Sequence, residues 1–427
     1  MKKSILIIGS GGREHALGWK LAQSPHVGEI YFAPGNGGTS LIGKNVDIAV
    51  TQVDELLQFA KEKRVDFTVV GQEAALEVGI VDRFAEAGLQ IFGPTQSAAK
   101  LETSKAFTAD FLARHNIARP ESYTATNLND ALDYIKSKDP RNYVIKADGL
   151  ATGKGVILPT TEKEAEEALR TMMNGAVFGK AGETVVIQER LYGQEVSAFA
   201  ISNGTDIIML PFFQDHKQAL DGDRGPNTGG MGAYTPVPFV TMELAQKIKT
   251  GIMQKTVDGM RTDGNEYRGI LYGGLFITDK GDAKVIEFNA RFGDPECQAM
   301  MLAVDEDLFP FLQQSAAGKF EKTSIKTTHG AVATVCLASG GYPGNYEKGK
   351  EIYGLESVPE DVVVFHAGTK REEDRFVTNG GRVLNITASG ATMRQALDKA
   401  YSAIGTDGLH FDNMHFRRDI GFRVLQK

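Results

Sequence analysis

The sequence predicts a multidomain protein of mixed α/β and α+β class, and three observations carry that expectation. First, a continuous apolar run, Ile5 to Ile8, enters the glycine turn Gly9-Ser10-Gly11-Gly12 and then a helix-like stretch through Ala16, Leu17, Trp19 and Leu21. Strand, glycine turn and helix open a doubly wound, parallel-sheet domain. Second, the middle of the chain changes to hairpin-like strand pairs, the first at Tyr143–Asp148 and Val156–Leu158. Third, from His329 onward short strands are split by glycine turns, with one clear helix at Thr392–Ile404. A small β-rich cap is expected there.

The bulk properties bound the function. The chain has 427 residues, 42% hydrophobic and 24% charged, an ordinary balance for a soluble protein. That length allows roughly two to four domains. A net charge of −7 argues against general affinity for nucleic acid, while a local basic pocket for one phosphate is still compatible with it. Cys297 and Cys336 form no C-x-x-C pattern, so neither a disulfide framework nor a zinc site is expected. A reducing cytoplasm fits best. The opening apolar run is too short for a signal peptide core or a membrane span.

In the first hundred residues, the glycine turn brings backbone N–H groups to a helix start, where an anion is favoured. The dinucleotide fingerprint G-x-G-x-x-G fails, because its third glycine is Glu14. A second strand, near Glu29 to Phe32, ends without an acid to hold a ribose. A small phosphorylated ligand is therefore expected in place of NAD. Further strands are expected at Val46–Val50, Phe67–Val70 and Gln90–Phe92, with helices at Asp54–Lys63 and Ala75–Ala87. Glu73 follows the strand Phe67–Val70, at the end where open α/β sheets bind ligands. A solvated glutamate at a helix start would look the same.

Gly93-Pro94 closes this domain, and a helix over Ser97–His115 carries Lys105. The hairpin Gly149-Leu150-Ala151-Thr152-Gly153-Lys154-Gly155 is not a Walker loop, since three residues separate its first two glycines and Gly155 follows the lysine. Its N–H groups could still cover phosphate oxygens, with Lys146 adding a point charge. A strand at Thr184–Gln188 leads through Glu189, Leu191 and Glu195 into another at Val196–Ile201. The short connection suits recognition of an adenine edge and ribose hydroxyls. Pro211 to Pro236 reads as a long segment poor in regular structure, ordered around a substrate. Its reactive side chains are Asp215, His216 and Lys217. As neighbours in extended chain they point apart, so no proton relay is expected.

After a helix at Met242–Arg261 and a strand at Ile270–Thr278, the stretch Val285 to Arg291 alternates as a strand. The alternation puts Val285, Glu287, Asn289 and Arg291 on one face and Ile286, Phe288 and Ala290 on the other. Glu287 and Asn289 offer hard oxygen donors of the kind Mg2+ takes, and Arg291 can grip an anion. A half-exposed strand with its charges in water is the plain alternative. Gly293-Asp294-Pro295-Glu296 then turns into a helix through Met300 and Leu302. In the cap, His366 and Arg382 could face the cleft, although satisfied structural roles are the expectation, and no self-contained catalytic set is visible.

Taken together, these pieces resemble the ATP-grasp superfamily and, within it, the glycinamide ribonucleotide synthetases. The resemblance runs from Met1 to about Gly421. It rests on G-S-G-G-R-E-H-A (9–16), A-P-G-N (33–36), K-A-D-G-L-A-T-G-K-G-V (146–156), D-H-K (215–217), G-P-N-T-G-G-M-G-A-Y (225–234), E-F-N-A-R-F-G-D-P-E (287–296) and G-G-R-V-L (380–384). It implies an N-terminal α/β domain over 1–103, an ATP-grasp body over 104–326 with a mobile flap near 120–192, and a cap over 327–427. It implies that Glu287 and Asn289 hold Mg2+ or Mn2+, and that Arg291 and Asp215 are catalytic. Lys105, Lys146, Gly149, Gly153, Lys154, Gly155, Glu189, Leu191 and Glu195 would hold ATP. Gly11, Gly12, Arg13, Glu14, Glu73, Thr228, Gly229, Gly230 and Asp294 would surround glycine and 5-phosphoribosylamine. The implied reaction joins these two through glycyl phosphate, with ADP and phosphate released. Many superfamily members carry a second metal-binding acid one strand earlier, and Gly274-Leu275-Phe276-Ile277 has none. The implied partners are small molecules alone, with no nucleic acid and no membrane, and a monomer is compatible. Rival readings are another ATP-grasp carboxylate–amine ligase, an NAD(P)-binding oxidoreductase and a non-catalytic nucleotide sensor.

Overall fold

A computed structural model describes residues 2–149, 155–174 and 182–425. Its first layer is a parallel sheet of β1 (Lys3–Gly9), β2 (Val27–Pro34), β3 (Lys44–Asn45), β4 (Phe67–Val70) and β5 (Ile91–Phe92), in the order β3-β2-β1-β4-β5. The strand order reverses between β1 and β4, the crevice where ligands bind in doubly wound sheets. Ile5 to Ile8 are fully buried because helices cover both faces, which is why β1 reads as an unbroken apolar run. Helix α1 (Gly12–Ala22) starts directly at that crevice.

Two expected elements of this first layer differ. Val46–Val50 is not a strand. The ladder ends after β3, where the Val46 N–H donates to the Phe32 carbonyl at 2.8 Å and the chain turns toward the helix Val53–Glu62. The single helix expected over Ala75–Ala87 is two, Glu73–Glu77 and Ile80–Glu86, parted at Gly79 with φ +78°.

The helix expected over Ser97–His115 is also broken, into Lys100–Thr103 and Lys105–Arg114. Ser104 is extended and caps the second piece, its hydroxyl accepting from Phe107 N–H at 3.0 Å. Next come β6 (Ser122–Ala125), β7 (Tyr143–Ala147), β8 (Val156–Ile157) and β9 (Val185–Glu189), an antiparallel sheet ordered β6-β9-β7-β8. Helices Leu128–Ile135 and Glu162–Met173 cover one face. The buried residues here, from Ala125 to Ile187, form a separate apolar cluster.

β10 (Gln194–Asn203) and β11 (Ile207–Met209) begin the central sheet. The segment that follows is not poor in structure. It forms β12 (Gln214–Asp215), β13 (Gln218–Leu220), β14 (Arg224–Asn227) and β15 (Gly232–Thr235), with β13 and β14 paired as a hairpin. These strands are two to four residues long, so no periodicity marks them in sequence. β16 (Arg268–Ile277) and β17 (Ala283–Asn289) complete the central sheet, ordered β11-β10-β16-β17. The helical run expected over Met242–Arg261 is present, with a π segment at Lys249–Gln254.

The cap contains β18 (Ala331–Ser339), β19 (Val362–His366) and β20 (Arg382–Gly390), backed by the helix Met393–Ser402. Its sheet runs β12-β15-β18-β20-β19, so the segment around Asp215 is its far edge. The cap also docks on α1, where the His366 N–H donates to His15 Nδ1 at 2.9 Å.

Candidate active site

The site is built around β17. Opposite it, Gly274 pairs with Glu287 and Leu275 with Val285, so Ile286 is left without a partner in a β-bulge. This corrects the strict alternation read from sequence. Val285, Phe288 and Ala290 are buried together in the core, while Ile286, Glu287 and Asn289 line the cavity above. The bulge shifts Val285 off the functional face and puts Ile286 on it. Gly274 is required by the close approach of Glu287, whose Cγ would lie 2.9 Å from an added Cβ.

Cations converge on that face. Lys146 donates to the Ile286 carbonyl at 3.0 Å. Burial is the main reason that Lys146 drops to about 8, with Glu287 opposing the drop and Lys105 and Lys217 adding to it. Burial disfavours the Glu287 charge, but Lys217, Lys146, Lys105 and Arg291 hold its carboxyl below the usual range. Glu287 and Asn289 thus present an ionised carboxylate and an amide oxygen to one cavity, a donor set that fits Mg2+ completed by phosphate oxygens. The facing strand adds no acid, since Tyr272 stands opposite Asn289 and Gly274 opposite Glu287. Among the described residues no group of three His, Cys, Asp or Glu forms a ready metal cage.

Arg291 is held between two carboxylates. Its Nε lies 3.2 Å from Glu73 and its Nη2 3.1 Å from Glu102. Glu102 also accepts from Ala290 N–H at 2.7 Å. Burial pushes the Glu102 carboxyl up despite Arg291, whereas Glu73 is pulled down by Arg291 and Arg13 against its own burial. Nothing local in the sequence marks Glu102, because its partners come from residues 290 and 291. Arg13 joins this group through the Phe292 carbonyl at 3.2 Å and lies 3.9 Å from Glu73. Glu14 does not face the cavity. It is fully buried, bonded to Gly11 N–H at 2.6 Å and to Arg13 Nε at 2.6 Å. Gly12 is buried too, packed against Gln298 and Asn385.

The β12–β15 segment brings Asp215 and Lys217 close enough to Glu287 for their charges to act on one another. Lys217 pairs with Glu195 at 2.7 Å. Burial works against the Lys217 charge, but Glu195, Asp215 and Glu287 hold it well above the usual lysine range. Burial pushes Asp215 up to about 7, with Lys217 opposing and Glu296, Glu195 and Glu287 adding to the rise. His216 points elsewhere and is fully buried, its Nε2 accepting from Gly421 N–H at 2.9 Å. Thr228 holds the turn, accepting at its hydroxyl from Gly230 N–H at 2.9 Å. Arg382, read as structural from the sequence, ties this turn to the next loop. Its Nη1 donates to the carbonyls of Gly229 at 2.7 Å and Asp294 at 2.8 Å.

On the flap side, Lys105 starts its helix and donates to the Gly149 carbonyl at 2.8 Å. Asp148 caps the same helix, accepting from Ala106 N–H at 3.1 Å. Gly155 closes the hairpin, its carbonyl accepting from Ala147 N–H at 2.8 Å. Gly153 and Lys154 lie outside the described residues. Glu189 and Leu191 do not line the cavity holding Glu287. Glu189 is exposed at the end of β9, 3.3 Å from Lys284, and Leu191 is half-buried in the connection to β10.

Three family models cover most of the chain. They are the phosphoribosylglycinamide synthetase N domain over residues 3–102, its ATP-grasp (A) domain over 103–297 and its C domain over 332–423. The chain belongs to the phosphoribosylglycinamide synthetase family. The phosphoribosylamine–glycine ligases of Vibrio cholerae and Escherichia coli O6:H1 are 49% and 50% identical to it, over 99% of both chains in each case. The crystal structure of phosphoribosylamine–glycine ligase from Thermotoga maritima matches with a TM-score of 0.85 at 36% identity, covering 97% of this chain and 99% of that one. The biotin carboxylase domain of 2-oxoglutarate carboxylase from Hydrogenobacter thermophilus, at 14% identity and a TM-score of 0.76 over 97% of this chain and 92% of that one, shares the fold.

Proposed function

We propose that this member of the phosphoribosylglycinamide synthetase family is an ATP-dependent ligase that joins glycine to 5-phosphoribosylamine, in purine biosynthesis. The observation that carries the reading is one cavity lined by Lys105, Lys146 and Arg291 together with Glu287 and Asn289, with the charge of Lys217 also felt at Glu287. Four cations around one metal-binding acid suit the phosphates of ATP and an acyl phosphate. The N-terminal layer, the ATP-grasp body and the cap correspond in this reading to residues 1–103, 104–326 and 327–427.

Glu287 and Asn289 would hold the divalent ion, Mg2+ or Mn2+, which when bound neutralises charge between the ATP phosphates. Lys105 and Lys146 orient those phosphates. The glycine carboxylate oxygen attacks the γ-phosphorus, the bond to ADP breaks, and glycyl phosphate forms. Arg291 and Lys217 hold the charge of that intermediate. Arg13 and Glu73, at the switch point of the N-terminal sheet, face the sugar amine, with the 228–230 turn and Asp294 closing the other side. The amine nitrogen then attacks the acyl carbon, phosphate leaves, and Asp215 takes the proton that the nitrogen loses. No enzyme nucleophile is needed, so positioning and charge supply the catalysis. Among the described residues no helix is long and apolar enough to cross a membrane. The reading places the reaction in the cytoplasm and needs no second chain. ADP formation that requires both glycine and freshly made 5-phosphoribosylamine is the expected result. Turnover with a different acid and amine pair, and none with these, would overturn it.

A further inference from the structure

Among the described residues Arg417 heads the largest side chains that are fully buried, and none of its hydrogen-bond partners is a proposed reacting group. Its Nε and Nη2 donate to the two carboxylate oxygens of Asp419 at 2.7 and 2.8 Å. Its Nη1 donates to Asp223 at 2.8 Å and to the Gln218 carbonyl at 3.2 Å. Asp223 lies in the turn of the β13–β14 hairpin, and Gln218 immediately follows Lys217. One guanidinium therefore ties the segment around Arg417 to the start of β13 and to the turn before β14. Asp419 extends the tie, accepting from Gly222 N–H at 2.8 Å.

On the far side, the Lys217 carbonyl accepts from the N–H and hydroxyl of Thr228 at 2.7 and 2.8 Å. The backbone that carries Lys217 is thus gripped from both directions, and its side chain is the piece that reaches Glu195. A buried ion pair is poor at adding stability compared with apolar packing, and its best attested use is to fix one register. The planar fork of arginine suits that use, because it can serve several acceptors at set angles.

We propose that Arg417 is a positioning residue for the ligase reaction, fixing the β13–β14 hairpin so that Lys217 stands in the phosphate site. The inference rests on the placing of Lys217 in that site under the proposed function. The experiment measures glycine- and phosphoribosylamine-dependent ADP formation in the full chain for Arg417→Met, Arg417→Lys, Lys217→Met and the double variant Arg417→Met/Lys217→Met. Arg417→Met should lower kcat by about tenfold or more while the KM for ATP stays within about twofold, and Arg417→Lys should restore part of the loss. If Arg417 acts through Lys217, the double variant should be no slower than Lys217→Met, within about twofold. Should Arg417→Met fail to fold, Asp419→Asn, which weakens the two-point pair with Arg417, carries the same expectations. A kcat for Arg417→Met within about twofold of the parent, or a double variant that loses the product of the two single effects, overturns the inference. Lys217→Met at the parent rate would instead overturn the site assignment beneath it.

Discussion

Lys146 donates its hydrogen bond to Ile286, the one residue in the middle of β17 that the neighbouring strand does not pair. The bulge turns a carbonyl toward the cavity, and a buried lysine takes it. This couples the cation to the strand that carries Glu287 and Asn289, so the ammonium and the proposed metal ligands keep a fixed relation.

Glu287→Gln should raise the Mg2+ concentration needed for half-maximal turnover by about tenfold or more, since it removes the ionised ligand. Glu287 also supports the charge of Lys146, which stands at about 8. Without that support, Lys146 should lose its proton at lower pH. The alkaline rise in KM for ATP should move down in pH in the variant, and a profile unchanged in both Mg2+ and pH would contradict the assignment.

Arg291→Met should destabilise the fold by about 3–5 kcal/mol, because it leaves Glu102 buried without its cation. Burial already raises the Glu102 carboxyl, against the pull of Arg291. It can escape by taking a proton, so the loss should be smaller at pH 5 than at pH 8. Adding Glu102→Gln should recover more than half of it. Denaturant unfolding of the single and double variants at the two pH values checks this, and equal losses throughout would refute the pairing.

Asp215 accepts a proton only when ionised, and its carboxyl sits at about 7. Turnover should therefore fall as pH drops through about 7, the acid limb belonging to this group. Asp215→Asn should remove the limb and lower kcat by about 10²–10⁴-fold. A variant that keeps the limb would assign it to another group.

The contact between α1 and the cap should be sensitive to acid. Burial holds His15 at about 3, with His366 adding to the drop, and burial alone holds His366 at about 4. Both values lie below the usual 6.5. As pH falls from about 6.5 toward about 4, the unfolded chain takes up protons that the folded chain refuses. Stability is lost at about 1.4 kcal/mol per pH unit for each histidine. His15→Gln should flatten the slope of unfolding free energy between pH 6 and 4.5 by about that amount. An unchanged slope would show that the pair does not titrate as described.

Parts of this candidate site are written locally. Glu287 and Asn289 show themselves because a strand alternates and hard oxygen donors repeat every second residue. Lys105, Lys146 and the glycine hairpin are likewise visible one segment at a time. The bulge is not, since it depends on Gly274 opposite, and so simple alternation places Val285 and Ile286 on the wrong faces. Glu102 owes its place to an N–H 188 residues away. Arg417 and Arg382 act through contacts between the last strands and the middle of the chain. The breaks at Gly79 and Ser104 carry local signals, a left-handed glycine and a capping serine, that the apolar stripes of the flanking helices outweigh.

The sheet of β6 to β9 buries its own residues, from Ala125 to Ile187, in a cluster separate from the rest of the core. A unit with a private core has its own opening free energy. Amide protons of β6, β7 and β9 should then exchange together, through one sub-global opening that leaves the central sheet protected. Substitutions in that small core would change how readily the unit melts without loosening β16 and β17, so local melting and the proposed metal-binding strand can be altered independently.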